Sequence, residues 1–182
     1  PGSRDNEIRT LLPIIADALP LIQQHVPNAQ WLLPVAPNID DSLIQSLLPQ
    51  CVTLAHDHLY DLMNVCDTAI AVSGTITLEL SLLQTPMTII YKTHRLTYLL
   101  AKLLVRTKLI GLCNIIAEEE VARELIQHQA TPTNIANETI KLLDNSDYRR
   151  QKLNKLSCIV SNLGSGVDSQ ATANIALNLI TA

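Results

Sequence analysis

Along the first ninety residues, apolar positions switch repeatedly between two spacings, one helical and one extended. Ile8, Leu11, Leu12, Ile15, Leu19 and Ile22 recur at intervals of three and four, which marks one buried face of a helix. Asp5 and Glu7 fall in its first turn, where carboxylates suit the helix dipole, and Ser3 is placed to cap it. Pro13 and Pro20 each remove a backbone donor, so this helix is expected to kink or break. Gln30 to Ala36 then reads as a strand, Asp40 to Leu48 as a helix, Cys51 to Leu54 as a strand and His58 to Asn64 as a short helix. Ala69 to Val72 is a continuous apolar run bounded by turn residues, the pattern of a strand covered on both faces. After it come a tight turn at Ser73-Gly74-Thr75, a short helix carrying Glu79, and a second buried strand from Pro86 to Tyr91.

Strands alternating with helices predict an α/β fold, a Rossmann-like parallel sheet with helices on both faces. Beyond Tyr91 the pattern becomes helical. Arg95 to Arg106 reads as a leucine-striped helix and Leu109 to Ile116 as a short extended piece. Glu118 to Gln129, Thr133 to Asn145, Asp147 to Asn162 and Ser169 to Ile180 read as helices. Thr131-Pro132 is a good helix start, with proline just inside the cap. Residues 1–163 are expected to form one domain, and Gly164-Ser165-Gly166 a hinge before a terminal helix over the remainder. Such a hinge would permit exchange of the last helix in a homodimer. Gly2-Ser3-Arg4 reads as a loop entering a helix, and a loop of this kind expects a first strand upstream of Pro1.

Composition narrows the function. The 182 residues are 47% hydrophobic, enough for a real core. A net charge of -4, no Phe and one Trp argue against a nucleic-acid platform. Four cysteines with no C-x-x-C pair read as reduced thiols in a cytoplasmic protein, and imply no zinc site. No apolar run has the roughly 18 residues that a membrane span requires.

The turn between strand and helix at Ser73-Gly74-Thr75 lies where open α/β sheets bind ligands, and unpaired N–H groups at a helix start suit a phosphate. Glu79, one turn further on, would repel phosphate but accepts hydrogen bonds from a ribose diol. A capped helix with a solvated Glu is the plainer alternative. Gly2-Ser3-Arg4 offers close backbone approach, a hydroxyl and a bidentate fork, or else an ordinary capping loop with a surface Arg. Asn114, between apolar neighbours, must satisfy its amide, through a ligand or through a turn. His56-Asp57-His58 could offer two metal ligands but lacks a third, and reads as a polar loop. Neither G-x-G-x-x-G nor G-x-x-x-x-G-K-[ST] occurs, which disfavours a standard dinucleotide or ATP loop. Lys92 to Lys108 holds five of the thirteen Lys and Arg and no acid. On a helix, Arg95, Lys102 and Arg106 fall along one line beside the leucine stripe, suited to an anionic lipid surface or to snorkelling at the margin of a core helix.

These residues resemble the carboxy-terminal half of the lipid-A-disaccharide synthases, glycosyltransferases of the GT-B fold. The resemblance rests on Pro1-Gly-Ser-Arg4, Ser73-Gly-Thr-Ile-Thr-Leu-Glu79, Thr85-Pro86-Met87, Leu96-Thr97-Tyr98, Asn114-Ile-Ile-Ala117, Glu124-Leu125-Ile126 and Thr131-Pro132. The chain departs from the family at Gln84, Glu118-Glu119 and Arg123. The resemblance implies a UDP-diacylglucosamine donor, held by Gly2, Ser3, Arg4, Ser73, Gly74, Thr75, Glu79 and Asn114. It implies that Arg4 and Ser73 stabilise the leaving diphosphate, with neither metal nor other cofactor. The lipid acceptor and the catalytic base are then expected on the amino-terminal half, and this half alone would not catalyse. The implied location is the bacterial cytoplasm, peripheral on the inner face of the inner membrane. Another UDP-sugar enzyme of the same architecture, or a non-catalytic nucleotide- or lipid-binding module, is the alternative.

Overall fold

The structure, a computed structural model, describes residues 2–94, 98 and 109–163. Its five strands are all parallel to their neighbours and alternate with helices. β1 (Trp31–Pro34) pairs with β2 (Val52–Ala55) as one two-stranded sheet. β3 (Ala69–Val72), β4 (Met87–Tyr91) and β5 (Arg123–Ile126) form a second sheet in that order.

The helices are α1 (Asp5–His25), α2 (Asp41–Gln45), α3 (Leu59–Val65), α4 (Ile76–Leu82), α5 (Leu112–Ala117), α6 (Pro132–Asp144) and α7 (Ser146–Leu163). Three of them start on oxygen caps: Asp40 accepts from the Ser42 N–H, Thr131 from the Asn134 N–H and Asn145 from the Tyr148 N–H. Val72 and Ile90 join Leu11, Ile44 and Ile135 in a core containing α1, α2 and α6. Ala71 and Ile89, one residue back on the same strands, join Met63, Leu80, Cys113 and Leu156 in a second core under α3, α4, α5 and α7. Successive strand residues point to opposite faces, so these strands are covered on both sides. That is why they read as unbroken apolar runs.

Several expectations need correction. α1 is one continuous helix containing both Pro13 and Pro20, not broken into two elements. Six buried Ile and Leu side chains, each contributing about 1.5–3 kcal/mol, outweigh two prolines costing about 3 kcal/mol each. Ser3 does not cap it: the cap position is Arg4, without a side-chain bond. The segment expected to be extended from Leu109 contains α5, and the helix expected over Glu118 to Gln129 contains β5 and a 3-10 turn at Gln127–Gln129. The basic stretch with Arg95, Lys102 and Arg106 lies outside the described residues, as do the hinge and the terminal helix. No described helix is long and apolar enough to cross a membrane.

Candidate functional site

The β3–α4 turn is built by continuing the strand ladder one step and then closing it. The Ser73 N–H donates to the Ile90 carbonyl at 3.3 Å, just past the end of β3. Thr77 turns its backbone N–H (3.2 Å) and its hydroxyl (2.8 Å) onto the Gly74 carbonyl. Since the first bonds of α4 run from Thr77 and Leu78, the N–H groups of Gly74, Thr75 and Ile76 precede its ladder. Thr75 stands at the cap position and makes no side-chain capping bond. A Cβ added to Gly74 would meet nothing nearer than 4.0 Å, so the turn is open on that side.

Behind the turn lies a buried polar cluster. The Ser73 hydroxyl donates to the Ile110 carbonyl at 2.7 Å. Ile110 N–H and Gly111 N–H donate in turn to Glu124 on β5, at 3.0 and 2.8 Å. The Asn114 amide donates to Glu124 (2.8 Å) and to the Ala122 carbonyl (2.7 Å), and accepts from the Ala122 N–H (2.8 Å). Glu124 is 5% exposed and Asn114 fully buried. A buried carboxylate that accepts from three donors is compensated rather than costly. Gly111 is needed here, because a Cβ would run into Ile89 and crowd Glu124 at 3.2 Å. The cluster therefore fixes Ser73 and, with it, the turn.

The second loop is held more lightly. Gly2 has φ +121, and a Cβ there would meet Glu7 Oε2 at 2.7 Å, so a side chain is excluded on both counts. The Asn38 amide donates to the Ser3 carbonyl at 2.8 Å, tying the loop to the β1–α2 connection. Arg4 pairs with Glu7 at 3.1 Å, but its side chain is 81% exposed, so the fork is available to a competing anion.

Gly2, Ser3 and Arg4, together with Ser73, Gly74 and Thr75, line one cavity of about 790 Å³. Ser73-Gly74-Thr75 leaves the carboxyl end of β3, while Gly2-Ser3-Arg4 leads into α1. Glu79 is partly exposed on α4 and does not line that cavity, and neither does Asn114, whose amide is spent on Glu124 and Ala122. The Ser73 hydroxyl proton is committed to Ile110, so the turn's contribution to an anion falls to its backbone N–H groups. His56 pairs with Asp41 at 3.1 Å and His58 with Asp61 at 3.6 Å, both at the surface. Among the described residues no group of three or more His, Cys, Asp and Glu could hold a metal ion.

Sequence reasoning missed Glu124 and Gly111, the residues behind the turn. Glu124 stood in the sequence only as part of the block Glu124-Leu125-Ile126, with no role assigned to it. A smaller recess of about 250 Å³ lies between β5 and α6, bordered by Arg123, Asn134 and Lys141. Its charges are internally matched: Arg123 pairs with Glu120, and Lys141 sits 3.7 Å over the Tyr148 ring. Tyr148 donates to Glu138 at 2.5 Å, and burial together with that carboxylate pushes its phenol well above the usual range.

The family described as lipid-A-disaccharide synthetase matches residues 1–178. A lipid-A-disaccharide synthase of Trichlorobacter lovleyi is 43% identical over 99% of this chain and 48% of its own length. Those of Coxiella burnetii and Geobacter sulfurreducens are each 41% identical, with the same coverage. The chain thus spans about half the length of the curated relatives it matches. Among solved structures, the calicheamicin glycosyltransferase CalG4 superposes with a TM-score of 0.62 at 13% identity, over 97% of this chain and 40% of that one. The likeness to CalG4 concerns the fold, which is that of a GT-B glycosyltransferase.

Proposed function

The chain belongs to the lipid-A-disaccharide synthase family, and from that premise we propose that it is the donor-binding half of an inverting glycosyltransferase. The donor is UDP-2,3-diacylglucosamine and the acceptor 2,3-diacylglucosamine 1-phosphate. The acceptor 6-hydroxyl oxygen attacks the anomeric carbon from the face opposite UDP. A β-1,6 bond forms, the bond from that carbon to the diphosphate oxygen breaks, and its electron pair leaves with UDP. The hydroxyl proton passes to a base outside this chain, in the half of the relatives' length that it does not span. Lipid binding and a place at the inner face of the bacterial inner membrane belong to this reading, with Arg95, Lys102 and Arg106 as the membrane-facing cations.

The observation that carries the proposal is that Ser73-Gly74-Thr75, at the carboxyl end of β3, and Gly2-Ser3-Arg4, at the entry to α1, open on one cavity. Negative charge develops on the diphosphate as it departs, and preoriented donors are worth most there. Arg4 exchanges its exposed bond to Glu7 for a bidentate grip on phosphate. The N–H groups of Gly74 and Thr75 face the same charge, and the missing Cβ at Gly74 lets phosphate approach. Glu79, partly exposed on α4 outside the cavity's lining, accepts from the ribose diol where the nucleoside extends past the mouth, while Asn114 acts on the donor through Glu124 and the Ile110–Gly111 segment. Calorimetric titration with UDP tests this. Saturable binding is expected, about tenfold weaker in Arg4→Ala and in Glu79→Ala. A folded chain that takes up no UDP would overturn the reading.

A further inference from the structure

The mouth of the cavity carries a charge of each sign. Among the residues that line it, Arg4, Glu7 and Asp67 are the charged ones. Asp67 precedes β3, at the end of that strand away from the Ser73 turn, so Arg4 and Glu7 are the pair at the mouth. They are unequally seated. The Arg4 side chain is 81% exposed and that of Glu7 only 25%. The acid is the settled member of the pair.

Glu7 is settled because it folds into the loop in front of it. Its Oε1 accepts from the Arg4 guanidinium at 3.1 Å. Its Oε2 lies against Gly2, where an added Cβ would stand 2.7 Å from it and 3.0 Å from the Glu7 Cβ. Gly2 makes this contact with φ +121, a conformation that side chains rarely allow. The loop is held from both ends: Asn38 donates to the Ser3 carbonyl, and the Ile8 N–H donates to the Arg4 carbonyl at 3.0 Å. In a capping box the third helical residue turns back to the backbone N–H of the cap. Glu7 holds that position after Arg4 but spends Oε1 on the Arg4 side chain. The crook of Gly2, Ser3 and Arg4 therefore holds an anion that belongs to the chain itself.

We infer that Glu7 is a release residue: its carboxylate and the diphosphate of the nucleotide are alternative occupants of the Gly2–Arg4 crook. This rests on the reading of the cavity mouth as a UDP site. Carboxylate and phosphate take a guanidinium fork in the same bidentate geometry, so each displaces the other from Arg4. Two anions on one fork repel, and a side chain as enclosed as that of Glu7 is screened less than a surface charge. Entry of the diphosphate therefore needs Glu7 to swing aside, and the return of Glu7 to Arg4 loosens the hold on departing UDP. A phosphate site without such a competitor holds its product, and product release limits turnover in many enzymes. Glu7 acts by exclusion and touches no reacting atom, so its role differs from that of Arg4, which grips the leaving group.

The test is the isosteric variant Glu7→Gln, with Asp5→Asn as its control. Asp5 lies in the same first turn but is exposed and outside the cavity's lining, so its substitution removes an equal charge without touching the loop. Binding of UDP and of inorganic pyrophosphate to the 182-residue chain is measured by calorimetry, and UDP release by stopped flow. Glu7→Gln should bind both at least about fivefold more tightly, because a like charge facing the ligand is gone. It should release UDP more slowly by the same factor, since affinity differences within one site fall mostly on the off-rate. Asp5→Asn should match the wild type within about twofold, as an exposed charge does. Weaker binding by Glu7→Gln would overturn the inference, because Glu7 would then orient Arg4 rather than compete for it. Unchanged affinity with a lowered Tm would overturn it as well, leaving Glu7 a helix-start acid, and so would equal tightening by Asp5→Asn. Pyrophosphate binding that tightens in Glu7→Gln, in a chain that takes up no UDP, would keep the role of Glu7 and overturn the nucleotide reading. Uptake of neither ligand by the folded wild type and Glu7→Gln would overturn both.

Discussion

The two loops at the mouth of the cavity are held in opposite ways. Ser73-Gly74-Thr75 is fixed from behind by Ile110, Gly111, Asn114 and Glu124, all tied by bonds of 2.7–3.0 Å. Gly2-Ser3-Arg4 is held by one amide from Asn38 and a surface pair to Glu7. The difference separates two jobs that a binding site must combine. A rigid turn presents backbone N–H groups already in place, which spares reorganisation when charge arrives. An exposed Arg on a light tether can reach, grip and release. Stability should therefore track the first loop and affinity the second.

The strongest way to break this contrast is Glu124→Ala. It leaves the N–H groups of Ile110 and Gly111 and the Asn114 amide without their acceptor. Each buried unmet donor costs about 1–3 kcal/mol, so a loss of about 3 kcal/mol or more is expected in denaturant unfolding. A loss below about 1 kcal/mol would mean that the cluster does not anchor the turn. Gly111→Ala should cost somewhat less, about 1–3 kcal/mol, because Ile89 must give way to the methyl group. Its midpoint should fall without a change in the denaturant slope. Arg4→Ala should shift the midpoint least, since exposed ion pairs contribute about 0–1 kcal/mol. A large destabilisation by Arg4→Ala would erase the distinction between the loops.

The same contrast explains what could be read from the amino-acid order. Ala69 to Val72 and the turn after it were legible to the residue, because a doubly covered strand followed by Ser-Gly-Thr has few other readings. β5 was not. Arg123-Glu124-Leu125-Ile126 carries good helix formers, and only pairing with β4 makes it a strand. Glu124 was hidden for a related reason: an acid's partners are backbone N–H groups 13 and 14 residues away, which no local spacing reveals. α1 misled in the other direction, since proline rules describe exposed helices better than one with a fully buried stripe. The six residues of the two loops were legible as candidates, but that they share a cavity depends on strand order, which lies beyond local pattern.

The central claim is that both loops serve one nucleotide site, and amide chemical shifts on addition of UDP test it most directly. The account predicts that Gly2, Ser3, Gly74 and Thr75 move together along one saturation curve, and that Arg4→Ala weakens that curve while the fold stays intact. Shifts confined to one loop, or centred on the recess beside Arg123 and Lys141, would contradict it.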